Sequence, residues 1–334
     1  MTKKEQTDLL YKGTIQSGGI PFHPILMHFA ARFNGNTYGQ FASDHRVLVD
    51  CNLKALEQFG MDMVGLISDP YRETSAFGAP IEFIAEGVPK CLDTIVRNLD
   101  DVKQLQNPDV YKAARTLDRI RAVELYQKLL RGSVPVIGWI EGPLAEACDL
   151  AGVGEMLVYL MTDADLCHFL MDKCLVTAKD FARAQVLAGC DIIGIGDAIC
   201  SQIDLETYDQ FVKQRHKDLV DFIHSLHAQV KLHICGDITH LLPSLKDLQA
   251  DILDLDYKVD MDLAHHILGS QVVRCGNINP LFIQDSTDEE LSAACKDIIA
   301  KEKGRKFILS GGCEITVNTS PRKLGIMKKA AHGS

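Results

Sequence analysis

The feature that most constrains this chain is a repeated alternation of short apolar runs with segments of helical period. Eight apolar runs recur, at residues 24–28, 61–67, 134–140, 190–196, 229–235, 252–255, 272–275 and 307–309. Most of them do not alternate apolar with polar, as a strand with one wet face would. Continuous runs of this kind are buried on both faces, which is the mark of a parallel sheet. Between them lie stretches with apolar residues three and four apart, at 41–60, 111–131, 144–154, 162–188, 205–227, 241–248, 262–268, 288–303 and 321–331. Eight such units close into a (β/α)8 TIM barrel. A doubly wound open sheet is the competing arrangement.

The length of 334 residues suits one barrel domain. Two segments depart from the alternation. Residues 1–20 read as an irregular lead-in. Residues 70–110 carry Pro70, Gly78, Pro80, Gly87, Pro89 and Pro108 among short mixed pieces. A small hairpin is expected near 81–83, within an insertion long enough to act as a lid.

Charge and composition narrow the function classes. A net charge of −10, with no dense Lys/Arg run, argues against a nucleic-acid surface. The longest apolar runs fall far short of the roughly 20 residues a bilayer needs. The polar N-terminus carries no secretory core, and the 11 cysteines show no disulfide framework. A reducing cytoplasm is the expected setting.

Polar residues gather at the C-terminal ends of the expected strands, where barrel enzymes place their chemistry. They are Glu141, Asp197, His233, Cys235, Asp256, Asn277 and Cys313. His233 and Cys235 are two apart, so in a strand they face the same side, about 6.5 Å apart along it. Cys313 follows Gly311-Gly312, which frees the backbone to turn. His/Cys/Cys is a zinc-type ligand set that leaves one position open, set against three unrelated buried residues. Asp197 and Asp256 could orient His233, supply a further ligand, bind substrate or cap the segment that follows each. Glu141 reads as a general acid/base, a metal contact or a solvated loop carboxylate. The histidines at 216, 224, 227, 240, 265 and 266 are expected on the surface.

From about Asp191 onward the chain resembles the uroporphyrinogen decarboxylase superfamily. The matching pieces are Gly196-Asp197-Ala198, His233-Ile-Cys-Gly-Asp237, Leu255-Asp256-Tyr-Lys-Val-Asp260, Gly276-Asn277-Ile-Asn-Pro280 and Ile308-Leu-Ser-Gly-Gly-Cys313-Glu314. The His-x-Cys plus Cys set is similar to the methylcobamide:coenzyme M methyltransferase branch. That resemblance implies zinc on His233, Cys235 and Cys313, with methyl transfer between a small substrate and a corrinoid carried by a partner protein. Asp197, Asp256 and Glu141 are the catalytic candidates, and Asn277 and His28 the candidates for the cofactor side. A homodimer is compatible with the resemblance. The decarboxylase branch carries an Arg-rich N-terminal segment for propionates. Here residues 24–33 offer only Arg32. The Pro-Pro-Glu-Asn usual after the last cysteine is replaced by Thr319-Ser-Pro-Arg-Lys323. The rival readings are a tetrapyrrole decarboxylase and a non-catalytic corrinoid-protein partner.

Overall fold

The structure, a computed structural model, describes residues 19–333. The expected lead-in falls mainly outside them. Nine strands occur among the described residues. They are β1 (Val64–Gly65), β2 (Ile81–Glu82), β3 (Lys90–Cys91), β4 (Val136–Glu141), β5 (Ile192–Gly196), β6 (Gln229–His233), β7 (Ile252–Leu255), β8 (Val273–Ile278) and β9 (Phe307–Gly311). Seven form one parallel sheet in the order β1-β4-β5-β6-β7-β8-β9, so each pairs with its successor in the chain. β2 and β3 form the separate antiparallel hairpin expected in the insertion.

The eighth stave is a single residue. Phe22 bridges to Leu309 in β9. The His23 N–H donates to the Leu309 carbonyl, and the Leu309 N–H donates to Pro21. On the other side, the Asp62 N–H donates to the Phe22 carbonyl. These bonds close the sheet into a (β/α)8 barrel. The strand expected at 24–28 is therefore corrected. Pro21 and Pro24 lack an N–H, so no ladder extends beyond Phe22 and His23. Met27 leads instead into a helix, His28–Phe33.

The barrel strands are buried at every position except Gly65 and Asn277, the polar Glu141, Gln229, Lys231, His233, Asp254 and Arg274 included. Met63, Ile137, Ile192, Ile252, Val273, Cys275 and Ile308 form a small core of their own, apart from the large one between strands and helices. In β4, β5, β7 and β8 these residues lie in the N-terminal half of the strand. The apolar plug therefore fills the barrel floor, and polar side chains are left for its C-terminal end.

Helix boundaries follow local chemistry. Pro143 and Pro321 occupy first turns, where their missing N–H costs nothing. Thr287 and Glu290 form a reciprocal capping box. Gly60 and Gly189 end their helices at φ 57° and 119°. The expected helix over 205–227 divides into Leu205–Phe211 and Lys213–Ser225. Arg72–Ala76, Leu99–Gln104 and Pro280–Asp285 are helices too short to show a period in sequence. No helix among the described residues is long and apolar enough to cross a membrane. None of the 11 cysteines, all of them described residues, forms a disulfide.

Candidate metal centre and its cavity

His233 ends β6, where it pairs in register with Gly196 on one side and Asp254 on the other. Two residues later the chain turns at Gly236, whose φ of 100° suits only glycine. The Gly236 N–H donates to the Asp256 carboxylate at 3.1 Å, which anchors the turn just past Cys235. Cys313 follows β9 through Gly311 and Gly312. A Cβ on Gly312 would sit 2.5 Å from the Tyr257 backbone nitrogen, so only glycine lets this loop pass so close to the 256–257 backbone.

These turns bring the three expected ligands together. His233 Nε2 lies 2.9 Å from Cys235 Sγ and 3.9 Å from Cys313 Sγ, and the two sulfurs are 2.8 Å apart. All three ligand atoms fall within 4.8 Å of one another. A hydrogen bond from Cys235 holds the Cys313 thiol down at about 5 against burial, with His233 assisting. The same bond, with burial, pushes the Cys235 thiol far up.

Asp254 was not singled out from sequence. Its Oδ2 lies 2.9 Å from His233 Nδ1, and its Oδ1 lies 3.1 Å from the ammonium of Lys231. Lys231 is 2% exposed. A buried Lys, Asp and His thus run in line toward the sulfurs. An imidazole whose far nitrogen is held by a carboxylate is the usual arrangement of a metal-binding histidine. One imidazole and two thiols converging on one point, with that support behind them, fit Zn²⁺ held by three protein ligands. The signal available in sequence was a charged residue, Asp254, inside the otherwise apolar run of β7.

The three residues line a cavity of about 310 Å³ at the C-terminal end of the barrel. Trp139, Met27 and Ile199 supply apolar wall. Asp69, Glu141, Asp149 and Glu314 supply carboxyls, and no Lys or Arg lines it among the described residues. Behind Glu141 stand Glu73 and Glu146, 1% and 2% exposed. The Glu141 N–H donates to Glu73 Oε1, and Thr74 donates to Glu146 Oε2. Arg72 contacts Glu141 at 2.5 Å and Glu73 at 3.6 Å. Burial is the largest cause holding the carboxyls of Glu141, Glu146 and Asp149 well above their ordinary range. Glu73 pushes the same way, and Arg72 opposes for Glu141 and Asp149. Asp69 goes the other way. Burial raises its carboxyl, but Arg115 and Arg72 more than offset this and hold it far below the usual range. Arg115 grips both Asp69 oxygens, at 2.8 and 2.7 Å.

The remaining expected site residues are distributed differently. Glu141 reaches the cavity. Asp197 does not: it is fully buried, and it accepts from the N–H groups of Leu144 and Ala145 at the start of the Pro143–Ala151 helix. It also meets His216 Nε2 at 2.9 Å. His216 was expected on the surface and is instead fully buried, with its other nitrogen 2.9 Å from the Tyr208 hydroxyl. Asp197 gives no side-chain cap to the 198–202 turn that follows it, so the expected capping of the following segment is corrected: its carboxylate serves the start of the preceding Pro143–Ala151 helix, where backbone donors are concentrated. Asp256 spends its oxygens on the N–H groups of Gly236 and Lys258, so it shapes the ligand loop and does not orient His233. Asn277 donates to the carbonyls of Asp256 and Val259, tying down the segment after β7 and standing outside the cavity. His28 stacks on Tyr38 with ring centroids 4.8 Å apart, and its N–H donates to Glu314. Its imidazole does not line the cavity.

The comparisons with known proteins agree with this geometry. A family model described as uroporphyrinogen decarboxylase (URO-D) matches residues 18–334. A uroporphyrinogen decarboxylase of Thermodesulfovibrio yellowstonii is 26% identical over 284 residues, 83% of this chain and 81% of that protein. The methylcobamide:CoM methyltransferase MtbA of Methanosarcina mazei is 27% identical over 276 residues, 81% of this chain and 80% of that one. Among solved structures, a methyltransferase from Methanosarcina mazei superposes with a TM-score of 0.89 at 21% identity, covering 100% of this chain and 99% of its own.

Proposed function

We propose that this chain, which belongs to the uroporphyrinogen decarboxylase family, is a zinc-dependent corrinoid methyltransferase. It would move a methyl group between a small substrate and a corrinoid carried by a partner protein. Relatives of both activities match at nearly equal identity, so the reading rests on the site. The observation that carries it is the convergence of His233, Cys235 and Cys313 within 4.8 Å at the mouth of the barrel.

The cavity supports the same choice. A tetrapyrrole decarboxylase must hold several substrate carboxylates, which calls for cationic side chains. Here four carboxyl side chains and no Lys or Arg line the space among the described residues. Its volume of about 310 Å³ suits a small molecule.

When bound to this ligand set, zinc would keep a substrate thiol deprotonated and nucleophilic at neutral pH, the form that exchanges methyl groups with cobalt. The chain's own groups do the rest. Asp254 holds the His233 ring so that Nε2 faces the sulfurs. Lys231 balances the Asp254 charge. Asp256 and Gly312 set the two loops that deliver the cysteines. Trp139 walls the cavity beside His233, ring centroids 5.9 Å apart. The β2–β3 hairpin borders the mouth, because Glu86 reaches His28 and His28 bonds Glu314 in the cavity. Its exposed Phe83, Val88 and Leu92 offer an apolar surface to the corrinoid protein. Eleven cysteines without a disulfide suit a reducing, cytoplasmic setting.

The test is metal analysis by mass spectrometry of protein purified without chelator. One zinc per chain is expected, lost in Cys235→Ser and in Cys313→Ser. Wild-type protein free of zinc would sink the proposal.

A further inference from the structure

The acidic wall of the cavity is not used by the three ligands. Glu141 and Asp149 face the space, and Glu73 and Glu146 stand directly behind them. Arg72 is the one cation in contact with this group among the described residues. Three of its oxygens have no hydrogen-bond partner: Glu73 Oε2, Glu146 Oε1 and Asp149 Oδ2. Glu73 and Glu146 are almost completely excluded from water. Buried carboxyls in such excess keep their protons unless a cation joins them and stabilises the ionised form. Trp139, the chain's only tryptophan, lines the same cavity two residues before Glu141 on β4, with Met27 and Ile199 also in the lining. An indole and methyl-sized apolar surface beside carboxyls are the complement of an alkylated ammonium group.

We propose that the small substrate is an alkylammonium compound, bound with its nitrogen between Trp139 and the Glu141/Asp149 wall and its reacting end toward His233, Cys235 and Cys313. This rests on the methyltransferase reading, and it disfavours the anionic thiols, because no Lys or Arg lines the cavity among the described residues to receive a sulfonate or carboxylate. Two sources share the ammonium chemistry. One is a methylated ammonium acting as methyl donor, and the other is an aminothiol acting as acceptor.

Isothermal titration of the zinc-loaded and the zinc-stripped protein tests this with paired ligands. Choline is compared with its neutral isostere 3,3-dimethylbutan-1-ol, and 2-aminoethanethiol with 2-mercaptoethanesulfonate. At least tenfold tighter binding of the cation is expected in one pair or both. Choline preference with and without zinc identifies the methyl donor class. Preference confined to the thiol pair and to loaded protein identifies the aminothiol. Asp149→Asn and Glu141→Gln should each weaken cation binding tenfold or more while zinc content stays at one per chain. Equal binding within both pairs of wild-type protein, or tighter binding of the sulfonate, overturns the proposal whatever the variants do. The two readings fail separately. Discrimination by charge in a protein that never takes zinc keeps the cation site and removes the metal. One zinc per chain without charge discrimination does the reverse.

Discussion

Replacing Asp254 by Asn removes one negative charge from beneath the metal centre and leaves the shape unchanged. Two contacts are affected at once. The carboxylate that holds His233 Nδ1 at 2.9 Å becomes an amide, a weaker acceptor. Lys231, 2% exposed and 3.1 Å away, loses its counter-ion. Removing one partner of a buried ion pair costs about 3–5 kcal/mol, because the surviving charge stays desolvated. Removing the carboxylate behind a metal-bound histidine costs roughly 10–100-fold in metal affinity. Urea unfolding should therefore show a loss of about 3–5 kcal/mol, and competition with a chromogenic chelator should show zinc held roughly 10–100-fold more weakly. The double variant Lys231→Met, Asp254→Leu separates the two effects. It removes both charges, so it should recover most of the stability while zinc stays weak. Asp254→Asn binding zinc as tightly as wild type would refute the assigned role of the Lys231-Asp254-His233 line.

Three further outcomes follow from the same structure. Asp197→Ala strands two backbone N–H groups and His216 in the interior; a loss of about 2–4 kcal/mol is expected in chemical denaturation, with zinc content unchanged. Gly312→Ala drives a Cβ against the Tyr257 backbone and shifts the Cys313 loop, so zinc occupancy should fall even though all three ligands remain. Glu146→Gln should stabilise the fold at pH 8 more than at pH 5, read from urea midpoints at both values. Its folded carboxyl titrates above the unfolded one, because it is buried beside Glu73, Asp149 and Glu141. The native state therefore favours the proton, and stability is lost as pH rises from the ordinary carboxylate range through the folded value. Glutamine removes that loss and still accepts from Thr74. A larger gain at pH 5 would contradict the sign.

Strand periodicity was the most legible layer. Where an apolar run was bounded by polar or glycine residues, as at 252–255, the observed strand matches it fully. The run at 24–28 failed because hydrophobicity alone does not register missing N–H groups. Two prolines reduce that stave to the bridge at Phe22. The ligand residues were legible because spacing is local: His233 and Cys235 share a strand end, and Cys313 follows two glycines. Their supporting residues were not. Asp254 becomes the partner of His233 only through the β6–β7 register. Asp197 and His216, 19 residues apart, turned out to serve each other and a helix N-terminus.

The sequence by itself determined the barrel, the count of its staves and the three soft ligands at its mouth. Each of these is a matter of pattern along the chain, in apolar period, turn residues and ligand spacing. Only the tertiary structure decided which carboxylate does what. It gave Asp254 to the imidazole, Asp256 and Asn277 to the loops, Asp197 to a helix end and Glu141 to the cavity. A carboxylate's role depends on which donors surround it in space, and those donors come from strands and helices far apart in sequence. The same is true of the carboxyl lining of the cavity. No single segment is acidic enough to announce it, and it arises where Asp69, Glu141, Asp149 and Glu314 line one space.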